Sequence, residues 1–105
     1  MSYTIKFSES AALNLKRIVS LIEENFGYET SKEVLYSIKN DILKLKDNPF
    51  LGMKSKYKNI SEMNYRFLHL KKVIVVYRID DKEKIIFISN IYDYRQDYIN
   101  ILKGL

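Results

Sequence analysis

The sequence has 105 residues, 47% of them hydrophobic, with one proline, three glycines and no cysteine, a composition typical of one compact domain without disulfides. Without cysteine there is no thiolate zinc site or cysteine nucleophile, and a single histidine excludes a histidine metal cluster, so we expect neither a metal nor a cofactor. No apolar run approaches the ~20 residues of a membrane span, and the amino-terminal residues do not resemble a signal peptide, so we expect a cytoplasmic protein without membrane association.

The first predicted elements are a short strand and a helix. Residues 3–7 alternate apolar and polar, which predicts a strand with its apolar side chains facing inward. These are Tyr3, Ile5 and Phe7. A helix follows, capped by Ser8 or Ser10, and is expected to end at Gly27. Its apolar stripe recurs at three- and four-residue spacing and consists of Ala11, Leu15, Ile18, Ile22 and Phe26.

A second helix is predicted to start near Thr30, where Glu33 three residues later completes a capping box. Its apolar stripe consists of Val34, Leu35, Ile38, Ile42 and Leu45. The residue before Pro49 avoids the helical region, so the helix is expected to stop there. Two amphipathic helices joined by a few residues predict an antiparallel helical hairpin.

Three strands are predicted after an irregular stretch, over residues 65–70, 73–79 and 85–91, and a short helix over 95–102. The order is β-α-α-β-β-β. We therefore predict a single α+β domain over residues 1–105: an amino-terminal strand and an antiparallel helical hairpin, followed by a three-stranded antiparallel meander.

The net charge of +5 is concentrated in residues 54–72, because the segments before and after it are each electrically neutral. This segment contains Lys54, Lys56, Lys58, Arg66, Lys71 and Lys72 against Glu62 alone. Such a concentration favours an acidic partner at one site. The alternative is a solvated lysine-rich loop.

A set of short motifs carries a family resemblance. In chain order they are Ile5-Lys6-Phe7-Ser8, Asn48-Pro49-Phe50-Leu51-Gly52, Tyr65-Arg66, Val75-Val76-Tyr77-Arg78-Ile79, Ile91-Tyr92 and Arg95-Gln96-Asp97-Tyr98. This ordered set, spanning nearly the whole chain, resembles the RelE/ParE superfamily of bacterial toxins from type II toxin–antitoxin systems.

The resemblance implies a growth-inhibiting toxin that is neutralised by direct binding of a cognate antitoxin. It leaves two targets open, since RelE-like members cleave messenger RNA in the ribosome and ParE-like members poison DNA gyrase. Nucleases of the superfamily place a catalytic arginine at the position of Ile74. An isoleucine cannot stabilise the charge that develops on a phosphate, so the sequence favours the ParE-like branch. A third possible function is that of an inactive module that only binds the antitoxin.

If the protein were RelE-like, the candidate catalytic residues would be Arg66, His69, Tyr94 and Arg95. His69 is able to act as an acid or base near neutral pH, although a histidine on an apolar strand face is more often structural. Alternation along the strand places Arg66 on the opposite face from His69, which counts against a shared nuclease site. The alternative role for Arg66 is a salt bridge to a carboxylate of the helical hairpin.

The residues expected to contact a target or antitoxin are Lys54, Lys56, Lys58, Lys71, Lys72, Arg78, Tyr92 and Tyr98. Near Tyr92, tyrosines interleaved with an arginine suit base stacking and protein interfaces, and we expect Tyr92, Tyr94 and Arg95 to be functional. Tyrosines that seal the edge of the sheet are the alternative. For Arg78, the alternative is an ion pair with Asp80.

Overall fold

A computed structural model of the chain describes residues 2–54 and 64–93. Its elements, in chain order, are β1 (Thr4–Phe7), α1 (Glu9–Phe26), α2 (Tyr28–Leu43), a 3-10 turn (Lys44–Lys46), β2 (Met53–Lys54), β3 (Arg66–His69), β4 (Val73–Asp80) and β5 (Ile85–Asp93). The predicted α+β fold with a helical hairpin and an antiparallel meander is confirmed. The terminal helix expected over 95–102 lies outside the described residues.

The two helices are joined by a single glycine. As predicted, Ser8 caps α1, since its hydroxyl accepts a hydrogen bond of 2.9 Å from the backbone N–H of Ala11. Gly27 ends α1 with φ of +93°, a conformation that favours glycine and turns the chain directly into α2. The capping box predicted at Thr30 is therefore wrong, because α2 already begins at Tyr28 and Thr30 lies inside it.

The sheet has five strands in the order β1-β5-β4-β3-β2. β3, β4 and β5 form the antiparallel meander, and β1 pairs with β5 in parallel, with Thr4 opposite Ile85. The two-residue strand β2, which pairs with β3, falls in the stretch that the sequence predicts to be irregular. The register between β4 and β5 shifts by one residue at Val76 and Tyr77, so that Ile88 and Ile91 of β5 both face the core on the two sides of the shift.

The hydrophobic core lies between the helical hairpin and one face of the sheet. Its buried side chains are Tyr3, Ala11, Leu15, Ile18, Ile38, Ile42, Leu45, Leu68, Val73, Val75, Tyr77, Ile86, Ile88 and Ile91. Two residues predicted to face inward are instead exposed, since Phe7 is 40% and Phe26 71% accessible. Phe7 is near the outer edge of the sheet and Phe26 is at the tip of the hairpin, where none of the described elements covers them. No helix in the described part of the chain is long and apolar enough to cross a membrane.

Tyr77 holds the chain segment between α2 and β2 from inside the core. Its hydroxyl donates to the Pro49 carbonyl at 2.7 Å and accepts from the Gly52 N–H at 2.8 Å. Gly52 packs so closely that an added Cβ would lie 2.7 Å from the Tyr77 ring. Burial raises the pKa of Tyr77, so the hydroxyl remains protonated and keeps its donor at physiological pH.

A small charged cluster closes the opposite end of the sheet. The Tyr3 hydroxyl donates to the Asp81 carboxylate, and the Lys84 ammonium lies 3.3 Å from the same carboxylate and 5.1 Å from the Tyr3 ring centroid. The hydrogen bond from Tyr3, with a further one from Lys84, lowers the pKa of Asp81. This cluster joins the beginning of β1 to the turn between β4 and β5.

Replacing Asp81 with asparagine should reduce stability at neutral pH and have little effect in acid. Because the pKa of Asp81 is lowered in the folded state, its contribution is complete above the ordinary aspartate pKa of ~3.9 and is lost as the pH falls through the folded-state value. Urea denaturation of wild type and D81N at pH 7 and pH 3 measures this. In Tyr3→Phe the pH dependence should be weaker, since the main cause of the lowered pKa is removed. An equal D81N deficit at both pH values would contradict the assignment.

Candidate functional site

The sheet face turned away from the helices, here called the open face, carries an apolar patch. Phe67, Ile74, Val76 and Tyr92 are each at most 4% exposed, and Tyr65 packs against them. Ile74 pairs with His69 on one side and Tyr92 on the other. The position at which the resemblance expects an arginine in a nuclease is therefore a buried isoleucine inside this apolar patch.

His69 and Arg66 lie on opposite faces of β3, as the alternation predicts. His69 is exposed at the end of the strand, beside a cavity of about 470 Å³ whose lining also includes Lys44 and Lys71. Arg66 donates to the Gly52 carbonyl at 2.6 Å, and its guanidinium lies 4.9 Å from the Phe50 ring centroid. The suggested salt bridge from Arg66 to a helix carboxylate is wrong, because the described residues show no such ion pair and the guanidinium instead donates to a backbone carbonyl.

Tyr92 is tied to α1 through two asparagines. Its hydroxyl accepts from Asn90 Nδ2 at 3.0 Å, and Asn90 Oδ1 accepts from Asn14 Nδ2 at 2.9 Å. Burial raises the pKa of Tyr92, so the ring is neutral at physiological pH. The sequence did not identify either asparagine as a partner of the other, because Asn14 of α1 and Asn90 of β5 are 76 positions apart in the chain.

The strand β5 ends at Asp93, directly after Tyr92. Tyr94, Arg95 and Tyr98 lie outside the described residues.

The lysines of segment 54–72 do not form one cluster in the described part of the chain. Lys54 is exposed beside the start of β3, whereas Lys71 and Lys72 are exposed just after its end. Both of the latter line cavities against the helical hairpin, one of which also includes Glu33 and Asp41 and the other Asn25 and Phe26. Lys56 and Lys58 lie outside the described residues. The described lysines therefore occupy two separate surfaces at the two ends of β3.

Arg78 is exposed on the open face, and its guanidinium lies 4.8 Å from the Tyr65 ring centroid. The suggested ion pair with Asp80 does not form, because the Asp80 side chain accepts from the Glu83 N–H at 3.0 Å and side chains two apart on a strand are separated by ~6.6 Å. Arg78 is thus presented to solvent by a cation–π contact with Tyr65.

A groove of about 540 Å³ runs between the two helices and the end of β1. It is lined by Phe7, Ala12, Leu15, Lys16, Val19, Ser20, Leu35 and Lys39. The apolar side chains form most of its surface, and the two lysines add positive charge. The sequence did not reveal this groove because its apolar residues were assigned to the core, although the accessible Phe7 marks where the core ends.

No group of histidine, cysteine, aspartate or glutamate side chains within residues 2–54 and 64–93 is arranged to hold a metal ion. The candidate surfaces of the described chain are therefore the open face, the groove between the helices and the exposed lysines at the two ends of β3.

The chain matches the family model of the ParE toxin of type II toxin–antitoxin systems, parDE, over residues 5–98. It belongs to the ParE toxin family. No curated protein sequence is significantly similar to it. The predicted membership of the RelE/ParE superfamily is thus confirmed, and the chain is a toxin of the type II toxin–antitoxin class.

Solved structures place this ParE-family toxin among toxins of both branches by fold. The chromosomal ParDE system of P. aeruginosa aligns with a TM-score of 0.72 and 21% identity, covering 88% of this chain and 96% of the other. A RelBE toxin–antitoxin complex from Mycobacterium tuberculosis aligns with a TM-score of 0.67 and 16% identity, covering 89% of this chain and 99% of the other. A mutant of the E. coli toxin RelE in its free state aligns with a TM-score of 0.61 and 13% identity, covering 100% of this chain and 99% of the other. The shared fold therefore does not separate the two chemistries.

Proposed function

We propose that this ParE-family toxin arrests growth by inhibiting DNA gyrase and is neutralised by a cognate antitoxin. The observation that supports the gyrase target is the apolar patch of the open face, with buried Ile74 between His69 and Tyr92. Where a ribonuclease needs charge, this toxin has buried apolar side chains.

Cleavage of RNA through its 2′-hydroxyl requires a base, an acid and positive charge beside the phosphate. His69 supplies one titratable group, but its cross-strand neighbour is Ile74 and its same-face neighbour along β3 is Phe67. Arg66 is on the other face and is bound to the Gly52 carbonyl. The buried cluster itself has no charged side chain, and Arg78 at its edge is stacked on Tyr65, so we favour a toxin that acts by binding rather than by cleavage.

The groove between the helices is the surface we propose for the antitoxin. It combines an apolar lining with Lys16 and Lys39, so it suits an amphipathic segment that carries acidic residues beside its apolar face. The P. aeruginosa and M. tuberculosis neighbours are toxin–antitoxin systems, which supports an antitoxin as the partner.

Pulse labelling of DNA and protein synthesis immediately after induction of the toxin tests the target. We expect DNA synthesis to fall first, and purified gyrase to lose supercoiling activity when the toxin is added. Earlier loss of protein synthesis, with cuts in ribosome-bound messenger RNA, would instead support a ribosome-dependent nuclease. Normal growth with folded toxin present would support an inactive antitoxin-binding module.

His69→Ala is expected to leave growth arrest and gyrase inhibition within about two-fold of wild type, because His69 is exposed and no catalytic proton transfer is assigned to it. General acid–base catalysis by His69 would predict a loss of ~100-fold or more. The readouts are the toxin concentration that halves supercoiling by gyrase and the cleavage of ribosome-bound message. Leu51→Ala, which alters the same cavity without removing a charged group, is the matched control.

The second candidate is ribosome-dependent cleavage of messenger RNA that uses His69 with Tyr94 and Arg95. One observation favours it, since exposed His69 borders an open cavity that also carries Lys44 and Lys71. A large effect of H69A on message cleavage, combined with no effect of the toxin on gyrase, would select this candidate.

A further inference from the structure

A line of alternating cations and aromatic rings crosses the open face at the end away from His69. Lys6 of β1 is in register with Phe87 of β5, and Phe87 is in register with Arg78 of β4. Arg78 stacks on Tyr65, which directly precedes β3. We call this line the cation–aromatic row: Lys6, Phe87, Arg78 and Tyr65.

The row is presented to solvent, unlike the apolar patch beside it. Lys6 and Arg78 are exposed, Phe87 is 40% accessible, and Tyr65 is half-buried. The exposed Phe87 ring between two cations has no evident role in stability, because Phe87 belongs to neither of the two buried apolar clusters of the described residues. Within the described residues neither Lys6 nor Arg78 forms an ion pair.

The charge around the row favours an anionic occupant. Asp80 is the nearest acid on the same face, two positions beyond Arg78, and its carboxylate is engaged by the backbone N–H of Glu83. The other neighbours of the row on this face are Thr4, Ile85 and Val76, which carry no charge. Two cations thus flank an aromatic ring without a competing acid inside the row.

We propose that the cation–aromatic row binds single-stranded nucleic acid. Successive strands are ~4.8 Å apart, so the row is about 14 Å long. This length corresponds to about four nucleotides at the ~3.4 Å spacing of a stacked strand. Phe87 offers a ring on which a base stacks, while Lys6 and Arg78 contact phosphates. A duplex hides its base faces and an acidic peptide has none, so neither uses the exposed ring.

Fluorescence anisotropy with labelled dT12 and U12 measures this binding directly and separates DNA from RNA as the source of the strand. We expect the toxin to bind at least one of these strands more tightly than a 12-base-pair duplex or a peptide of twelve glutamates. Phe87→Leu keeps an apolar side chain and is expected to weaken binding about five-fold or more through lost stacking. Lys6→Ala and Arg78→Ala should each weaken binding and reduce the dependence of log K on log salt by about 0.7.

Lys16→Ala is the matched control, since it removes the same charge from the groove between the helices and should change strand affinity less than two-fold. Circular dichroism melting of each variant checks that the fold is retained. The proposal is overturned if the duplex or the glutamate peptide binds as tightly as the single strands, if folded F87L binds like wild type, or if none of the strands binds. Gyrase inhibition is measured separately, so failure here leaves the proposed target unaffected.

Discussion

Tyr77→Phe is expected to lower the free energy of unfolding by about 2 kcal/mol, because the buried Gly52 N–H and the partly buried Pro49 carbonyl lose their common partner. The Tyr77 hydroxyl bonds to both the Pro49 carbonyl and the Gly52 N–H, and the side chain is fully buried. Phenylalanine has the same ring and leaves both backbone groups unsatisfied. Urea denaturation followed by circular dichroism measures the change.

The loss of stability expected in Y77F should be accompanied by a local change in hydrogen exchange. Hydrogen exchange of the Gly52 amide should become faster than exchange in β4, since the segment at 49–52 loses its bond to the core while the strand keeps its pairing. Tyr36→Phe is the control, because Tyr36 is 71% exposed on α2 and should change stability by less than ~0.5 kcal/mol. A Y77F protein as stable as Y36F would show that the two backbone groups find other partners.

Ala12→Trp is expected to weaken antitoxin binding by about 100-fold, equivalent to ~2.7 kcal/mol, if the antitoxin occupies the groove between the helices. Ala12 is exposed on α1 and lines the groove, so an indole there fills the space without displacing core side chains. Isothermal titration calorimetry with the purified antitoxin measures the affinity. In cells, co-expression of the antitoxin should no longer restore growth.

Leu13→Trp provides the matched control for the groove. Leu13 is the next residue on α1, is 56% exposed, and does not line the groove, so the same indole should leave antitoxin binding within about two-fold. Both variants should still inhibit gyrase, because neither alters the open face. Undiminished antitoxin binding by A12W would rule out the groove as the docking surface.

The sequence predicted those features that depend on neighbouring residues. The Ser8 cap, the end of α1 at Gly27 and the alternation of Arg66 and His69 all follow from local backbone chemistry, and all three are confirmed. The start of α2 was misplaced because the positive φ of Gly27 makes the helix connection shorter than the Thr30 motif suggests.

Features that join distant parts of the chain were not predicted. The contacts of Tyr77 with Pro49 and of Arg66 with Gly52 depend on where segment 49–52 folds back against the sheet. The groove and the cation–aromatic row likewise require the positions of helices and strands relative to one another, which no periodicity encodes. For this reason the sequence could not reveal that the described lysines of the basic segment lie at the two ends of β3.

The parallel pairing of β1 with β5 has a consequence for synthesis of the toxin. Ile5 lies opposite Ile86, and the Ser8 hydroxyl donates to the Ser89 carbonyl 81 positions later. β1 thus has no partner in the sheet until β5, the last described strand, has emerged from the ribosome. Closing so long a loop is slow compared with forming the helical hairpin, so the hairpin is expected to form before β1 joins the sheet. A nascent chain that stops before β5 has neither a complete core nor the exposed Phe87 ring, so the toxin fold is not complete before β5 has been made.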